Sequence, residues 1–407
     1  MRGTGGALVA RERWAVAAVF AVHGAVVGTF VSRLPWIADR LHLGAGPLGV
    51  ALTMTSVGVL LATPLAGRFV QRYGGRTATR VTMAAWCLSL ALPTLAPNVL
   101  VLGVVLAMFG MTSGTADMAM NAQGVDVERR IGRSIMSGLH GSWSIGVLAA
   151  TFVGSLFAGA RVDARVHFAL VAVVLAVAGV AATARFTSEP VAVTGTGPVK
   201  VPWFVLPKGR ILLIGLVGFF AIFPEIAAND WSAIYMRRVL GTDEARAALT
   251  TSMFALTMTA GRLCGDLIVR RLGAARSVRI CGLVAATGAV LVVLAHTQVL
   301  AIAGFMLIGA GVSLVVPLAF AAAGHAASTP AVGVAGVATI SYGAGLAAPS
   351  VIGGVASIAS LRVAFLIVAG FAALVVAGAG ILNPHFWHRT VITRTQGRAA
   401  TRSRTSA

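Results

Sequence analysis

Two pairs of a carboxylate and an amide interrupt apolar stretches of this chain. Asp117 and Asn121 stand one helical turn apart, and Glu225 and Asn229 repeat that spacing with Asp230 adjacent. Placing an ionisable group at membrane depth costs about 2.5–3.5 kcal/mol on insertion scales, so such groups are functional candidates. The two pairs are therefore the first candidates for proton or solute chemistry.

A histidine stands at the depth expected for the first pair. His140 is about one and a half helical turns into its apolar stretch, level with Asp117. A carboxylate and an imidazole at one level can share a proton whose affinity changes when a cavity opens. We predict that Asp117 and His140 couple proton movement to transport, with a static clamp between two helices as the alternative. Glu225 is the second coupling candidate, with a gate or packing contact as its alternative.

Aromatic side chains accompany these polar groups. Trp143 follows His140 by one turn, and Trp231 follows Asp230 directly. Aromatic faces beside carboxylates and amides hold sugars and cyclic polyols through stacking and hydrogen bonds, so both tryptophans are cavity candidates. For Trp231 the alternative is a position in the interfacial aromatic belt. His23 is a further cavity candidate, with a packed or helix-bridging role as its alternative.

The elements that must carry these residues are membrane-spanning helices. Hydrophobic residues make up 57% of the 407 residues and charged residues only 11%. About 20 apolar residues cross the bilayer as a helix, which satisfies every backbone polar group internally. We predict an all-α polytopic membrane protein with twelve spans, at 14–31, 47–66, 81–96, 99–120, 135–158, 166–184, 211–231, 247–269, 278–295, 299–323, 332–359 and 363–382.

A proline-rich polar segment divides the spans into six and six. The predicted order is an N-terminal tail (1–13), a six-helix bundle (14–186), a central loop (187–210), a second bundle (211–382) and a basic tail (383–407). Two halves of six indicate a duplicated architecture with a cavity between them. Counting helical rise puts Asp117 ~27 Å from the outer start of its span and Glu225 ~21 Å from the inner start of its own. We therefore expect these two carboxylates in opposite leaflets.

The basic charge of the chain follows the topology. The net charge is +20, and lysine and arginine concentrate in the segments that are cytoplasmic if both termini are cytoplasmic. Because the basic residues are spread over many loops, the positive charge is explained without a nucleic-acid partner. We found no phosphate-binding loop, no hydrolase triad and no metal-ligand spacing, so we predict no enzyme activity, no catalytic residue, no metal and no cofactor.

A short motif occurs once in each half. After the second span stand Gly67, Gln71, Arg72, Gly74 and Arg76. At the equivalent place after the eighth span stand Arg271 and Gly273, preceded by Arg262 and Asp266 at a spacing of one turn. We expect Arg262 and Asp266 to pair with each other and to stabilise a cytoplasmic gate formed by both motifs.

The first motif resembles the cytoplasmic loop signature of the major facilitator superfamily, in which Gly67, Arg72, Gly74 and Arg76 match. Gln71 stands where that family usually has aspartate, and a neutral amide makes a weaker hydrogen bond than a carboxylate does. The resemblance covers the whole chain and implies a secondary transporter, usually monomeric. It implies that the first, fourth, seventh and tenth spans line a central cavity.

Three further stretches resemble the MosC/YbjJ-like bacterial subgroup of the sugar-permease-like branch. They begin at Arg33, at Asp117 and at Glu225, and the second includes Gln123, a further cavity candidate. This resemblance implies transport in the bacterial inner membrane and leaves the solute open. We predict proton-coupled movement of a small polar solute, sugar- or polyol-like, with the lipid bilayer, the solute and protons as partners. Efflux of drugs or metabolites by the same fold, and a non-transporting receptor, remain the alternatives.

Overall fold

The computed structural model describes residues 2–132, 135–186, 209–326, 330–341 and 343–383, and these residues form α-helices and two short 3-10 helices without a strand. The first half contains α1 (Arg2–Ser32), α2 (Leu34–Arg40), α3 (Ala45–Tyr73), α4 (Gly75–Ser89), α5 (Val99–Ile131), α6 (Met136–Gly159) and α7 (Ala164–Thr183). The second contains α8 (Arg210–Leu240), α9 (Glu244–Leu272), α10 (Ala274–Leu294), α11 (Gln298–Val312), α12 (Val315–Ala326), α13 (Pro330–Ser341), α14 (Gly343–Ile358) and α15 (Leu361–Gly378).

These helices correspond to the twelve predicted spans. The short α2 is a connector, α11 with α12 forms the tenth span, and α13 with α14 forms the eleventh. Ten helical segments are long and apolar enough to cross a membrane. The other two are α4, which has 15 residues, and α9, which carries charged residues at its start and from Arg262 onward. Between α4 and α5 the chain turns at Pro97 and Asn98, as predicted. The side chain of Asn98 caps the start of α5, because its oxygen accepts a hydrogen bond from the backbone N–H of Val101 at 3.0 Å.

Several helices are longer than their predicted spans. The first begins at Arg2, inside the predicted N-terminal tail, and α5 and α8 continue to Ile131 and Leu240. The structure does not describe most of the predicted central loop (residues 187–208) or the C-terminal tail from residue 384 onward. The predicted spans ended where the apolar run met polar or charged residues, whereas α1 and α5 extend through polar residues and α8 continues through a stretch that contains Arg237 and Arg238.

The helices form two bundles with matching internal contacts. In the first bundle α1 packs on α6 and α3 on α5, and in the second α8 packs on α13 and α9 on α11. These are the same pairs of spans in each half, as the duplicated architecture requires. Across the interface, α3 packs on α14 and α6 on α9. Large apolar side chains such as Leu100 and Val299 are exposed on the outside, where a lipid bilayer would cover them.

The repeated motif has the same backbone in both halves. Gly74 has φ 76° and ψ 156°, and Gly273 has φ 75° and ψ 160°, a region that only glycine adopts readily. The amide of Gly74 donates to the carbonyl of Val70 at 3.0 Å, and that of Gly273 to the carbonyl of Val269 at 2.8 Å. Both glycines therefore end one helix and begin the next in one residue, which explains the spacing of the motif.

Candidate functional site

A cavity of about 160 Å³ lies between the two bundles. Its walls come from α1 and α6 of the first bundle and from α8 and α9 of the second. The lining residues are Val27, Trp143, Ser144, Val147, Glu225, Ile226, Asn229, Phe254, Ala255, Met258 and Thr259. Three predicted candidates, Trp143, Glu225 and Asn229, are among them. The expectation that the first, fourth, seventh and tenth spans provide the walls holds for α1 and α8, whereas α6 and α9 are the fifth and eighth spans.

Glu225 and Arg262 form an ion pair beside this cavity. Arg262 Nη2 donates to Glu225 Oε1 at 3.0 Å, and Nη1 donates to the hydroxyl oxygen of Ser144 at 3.1 Å. Ser144 belongs to the first bundle, so the guanidinium joins the two bundles at the level of the cavity. Pro224, which has no N–H, interrupts the hydrogen bonds of α8 immediately before Glu225.

The predicted partner of Arg262 was Asp266, one turn further along α9. In the structure Arg262 forms an ion pair with Glu225 on another helix, and this partner was not predicted. The side chain of Asp266 lies outside the described part of the structure, and so does that of Gln71. Of the other motif residues, Arg76 donates to the carbonyl of Ala184 at 3.1 Å within the first bundle. Arg72 lies over the ring of Tyr73, and Arg271 is exposed.

Asp117 and Glu225 do not stand at opposite ends of their helices. Because α5 runs to Ile131 and α8 to Leu240, each carboxylate lies near the middle of its helix. The prediction of opposite leaflets was counted on shorter spans, and it stays a prediction. Glu225 contacts Arg262, which lies in the half of α9 that ends in the repeated motif.

The first carboxylate–amide pair is bonded internally. Asn121 Nδ2 donates to the carbonyl oxygen of Asp117 at 2.8 Å and to its Oδ1 at 3.1 Å. His140 is exposed and meets the ring of Phe20 edge-on at 5.3 Å. Asp117 is near enough to interact electrostatically with His140, but the described residues show no hydrogen bond between the two. The coupling role of this pair stays a prediction.

Three other candidates stand away from the cavity lining. Gln123 donates to Glu12 Oε1 at 3.2 Å, at the end of the molecule where α1 begins. Trp231 is fully buried in the packed core, so neither a cavity wall nor an interfacial belt describes its position. Asp230 accepts a hydrogen bond from Asn229 Nδ2 at 3.3 Å.

His23 is buried at the crossing of four helices of the first bundle. Its Nδ1 accepts the indole N–H of Trp143 at 3.0 Å, and its Nε2 lies 3.4 Å from the carbonyl oxygen of Ser113. Its ring stacks on Trp86 with a centroid distance of 5.2 Å. The helix-bridging alternative therefore describes His23, with the addition that it bonds to a residue of the cavity wall.

Two ion pairs that the sequence did not reveal join the bundles at one face. We call the face where α1 ends the Arg33 face and the face where α1 begins the terminal face. At the Arg33 face, Arg33 Nε lies 2.7 Å from Glu244 Oε1, a contact of charges rather than an aligned hydrogen bond. Nearby, Arg237 Nη2 donates to Asp39 Oδ2 at 2.8 Å. Each pair takes its cation from one bundle and its anion from the other.

Close helix packing accompanies these ion pairs. Gly49 of α3 and Gly353 of α14 face each other's helices so closely that a methyl group on either would collide with backbone. One turn further in, the hydroxyls of Thr53 and Ser350 are 2.6 Å apart. The contacts between bundles named above lie at this face or at the level of the cavity.

Comparisons with known proteins agree with this architecture. The family model described as Major Facilitator Superfamily matches residues 16–348. The uncharacterized transporter y4wD of Sinorhizobium fredii is 35% identical over 370 residues, which cover 90% of this chain and 97% of the relative. The membrane protein MosC of Rhizobium meliloti is 27% identical over 91% of this chain and 90% of its own length.

Solved structures of transporters share the fold. The nucleoside transporter NupG, as a D323A mutant, superposes with a TM-score of 0.75 over 92% of this chain and 99% of its own, at 13% identity. A bacterial homolog of the human lysosomal transporter Spinster, described as inward-facing and unoccupied, gives 0.74 over 94% of this chain and 98% of its own, also at 13% identity.

Proposed function

Because this chain belongs to the major facilitator superfamily, we propose that it moves a small polar solute, sugar- or polyol-like, across the bacterial inner membrane. Both the family resemblance and the narrower one to MosC seen in the sequence are confirmed. The observation that carries the proposal is the cavity between the bundles, where the ion pair of Glu225 and Arg262, the amide of Asn229 and the indole of Trp143 converge. The transport cycle is an alternating rotation of the two bundles about this cavity.

The size of the cavity favours a small solute over a drug. Sites for drug-sized ligands occupy roughly 300–1,000 Å³, and this cavity measures about 160 Å³. Four of its eleven lining residues are polar, Glu225, Asn229, Ser144 and Thr259, and these suit hydroxyl-bearing ligands, because each hydroxyl group can both donate and accept a hydrogen bond.

The structure represents the state closed at the Arg33 face. With both termini cytoplasmic, as the arginine distribution predicts, the Arg33 face is external and this state faces inward. Opening to the outside requires the contacts of Arg33 with Glu244 and of Asp39 with Arg237 to separate.

Glu225 is the group that couples protons to the solute. A proton on Glu225 removes the charge that holds Arg262, and the guanidinium is then free to change its partner in the other bundle, Ser144. Glu225 borders the cavity, so its proton and a bound solute influence each other directly. Asp117 with His140, the first coupling candidate in the sequence, is placed second here, because these two side chains interact electrostatically but share no hydrogen bond among the described residues.

The test is flux of protons in reconstituted liposomes. Purified protein is reconstituted with a pH-sensitive dye inside, and sugars, cyclic and open-chain polyols, amino sugars and drugs are added in turn. We expect proton movement with a polar solute, loss of that movement in Glu225→Gln, and persistence of solute exchange in the same variant. Loss in Asp117→Asn with retention in Glu225→Gln would transfer the coupling role to Asp117. Tight binding of a solute without flux would support a receptor and contradict the proposal.

A further inference from the structure

We propose that His23 is a positioning residue that turns the indole N–H of Trp143 out of the cavity, so that the solute meets only the ring carbons. The solute class that follows is a cyclic polar molecule with an apolar ring face, such as a ring sugar or a cyclic polyol, in preference to an open-chain polyol. This inference rests on the proposed function and narrows it.

The hydrogen bond between the two rings determines how each is oriented. Because the indole nitrogen can only donate, Nδ1 of His23 must accept, and this requires an unprotonated Nδ1. The proton of the neutral ring is then on Nε2, which faces the carbonyl oxygen of Ser113. Both ring nitrogens of His23 therefore have a role, and the single donor of Trp143 is used inside the bundle.

His23 is itself held rigidly. It is 4% exposed and stacks on Trp86, whose indole N–H lies 3.4 Å from the backbone carbonyl oxygen of His23. The next residue, Gly24, lies against the carbonyl of Trp143, and Gly146 lies against that of Ala21, so α1 and α6 touch backbone to backbone. A side chain fixed by packing and by hydrogen bonds is what orients a binding group accurately.

The cavity has an aromatic face on one wall and a carboxylate and an amide on another. Trp143 lies with Ser144 and Val147 on the wall formed by α6, and Asn229 and Glu225 lie with Ile226 on the wall formed by α8. A ring solute can place its C–H face on the indole and its hydroxyl groups against the amide and the carboxylate. An open-chain polyol has no fixed flat face and must lose internal rotations to present one, so it binds more weakly.

Four variants test the geometry. His23→Asn keeps an acceptor near the place of Nδ1, and His23→Ala removes it. Trp143→Phe keeps a ring face without the N–H, and Trp143→Leu removes the face. The free energy of one aromatic contact corresponds to about a two- to tenfold change in affinity. We expect Trp143→Leu and His23→Ala to raise KM for a cyclic polyol by that factor, with kcat changed less, and Trp143→Phe and His23→Asn to stay near wild type.

A second readout requires no solute. The emission of Trp143 is isolated as the difference between a protein and its Trp143→Phe counterpart. We expect this emission to change in His23→Ala and to return in His23→Asn. Should His23→Ala fail to fold in a thermal unfolding assay, the comparison of Trp143→Phe with Trp143→Leu still decides whether the ring face binds the solute.

The outcomes separate this inference from the proposed function. Transport of six-carbon cyclic and open-chain polyols with equal KM, unaffected by Trp143→Leu, would overturn the ring-face inference and leave polar-solute transport standing. A requirement for the N–H, seen as equal losses in Trp143→Phe and Trp143→Leu, would also overturn it. Absence of both binding and flux for every sugar and polyol would overturn both proposals.

Discussion

Among the described residues, the charge pairs at the two faces of the molecule differ in which helices they join. At the Arg33 face, Arg33 meets Glu244 and Asp39 meets Arg237, and both contacts join one bundle to the other. At the terminal face, Arg130 meets Glu12 at 2.6 Å and Asp126 at 2.8 Å, and these contacts stay within the first bundle. Contacts between bundles must break during a transport cycle, whereas contacts within a bundle can persist. Of the pairs named here, those at the Arg33 face are therefore the ones that a change of conformation would separate.

Substitution of Arg33 is expected to change the balance between the two conformational states the most. Its side chain is 1% exposed, and removing one partner of a buried ion pair costs up to roughly 3–5 kcal/mol, reduced here because Glu244 is 25% exposed. We expect Arg33→Gln to shift the protein strongly toward the state open at the Arg33 face. The matched control is Asp39→Asn, whose pair is 45% and 35% exposed and contributes only about 0–1 kcal/mol.

The shift is measured as a distance between the bundles. Spin labels at Val50→Cys on α3 and Ile358→Cys on α14, in a background lacking the exposed Cys264, report the separation at the Arg33 face. An equal change in Arg33→Gln and Asp39→Asn would contradict the dominant role given to the buried pair.

The next largest change in this conformational balance is expected from substitutions at the crossing of α3 and α14. We expect Gly353→Ala to prevent close approach, because the new methyl carbon would lie 2.5 Å from the carbonyl oxygen of Ala45. Overpacking of this kind costs about 1–3 kcal/mol, which corresponds to roughly a five- to hundredfold change in population. The neighbouring Gly354→Ala is the control, since its methyl group meets nothing within 4 Å. The same pair of spin labels measures both variants, and similar distances in the two would refute the packing explanation.

At the terminal face the expected effect is on stability alone. Glu12 is 1% exposed, and Glu12→Gln removes the charge that Arg130 and Gln123 contact. We expect a loss of roughly 1–3 kcal/mol in the free energy of unfolding, seen as a lower midpoint of thermal unfolding. The distance between the labels should stay unchanged. A changed distance would mean that the first bundle transmits this contact to the interface.

The last expected effect concerns the two copies of the repeated turn. Alanine at Gly74 or Gly273 must adopt a positive φ, which costs about 1–3 kcal/mol, and nothing else surrounds the new methyl group within 4 Å. We expect Gly74→Ala and Gly273→Ala to lower the midpoint of thermal unfolding by similar amounts, because the two turns have the same backbone. A much larger effect at one of them would show that the turns differ in what they stabilise.

Periodicity and local motifs were sufficient to predict the helices. Apolar stretches identified all twelve spans, Pro97 and Asn98 marked the turn that Asn98 caps, and the repeated glycines predicted two equivalent turns. Each of these features depends on residues close together in the sequence, so the sequence contains the necessary information. The ends of α5 and α8 were missed because α5 continues through the mostly polar residues 121–130, and α8 continues past the adjacent arginines Arg237 and Arg238.

Contacts between distant segments were not predictable. Arg262 had a plausible partner one turn away, and nothing local indicated that Glu225 would be the nearer charge. The same holds for Arg33 and Glu244, which come together only when the bundles close. Gln123 had been placed in the cavity on a motif alone, whereas its position beside Glu12 depends on how α1 crosses α5. An acidic residue directly before an apolar span, Glu12, was the one signal in the sequence that could have revealed this contact.

The bonding of Arg262 has an electrical consequence. While Glu225 is ionised, the pair is neutral overall, and when Glu225 takes a proton the loaded cavity carries the single positive charge of Arg262. Moving one elementary charge through the membrane potential is worth about 2.3 kcal/mol per 100 mV. A neutral solute that travels with this proton would therefore be concentrated by voltage even at equal pH on both sides. A potassium diffusion potential, negative inside the vesicle, should drive its uptake, and collapsing that potential should stop it.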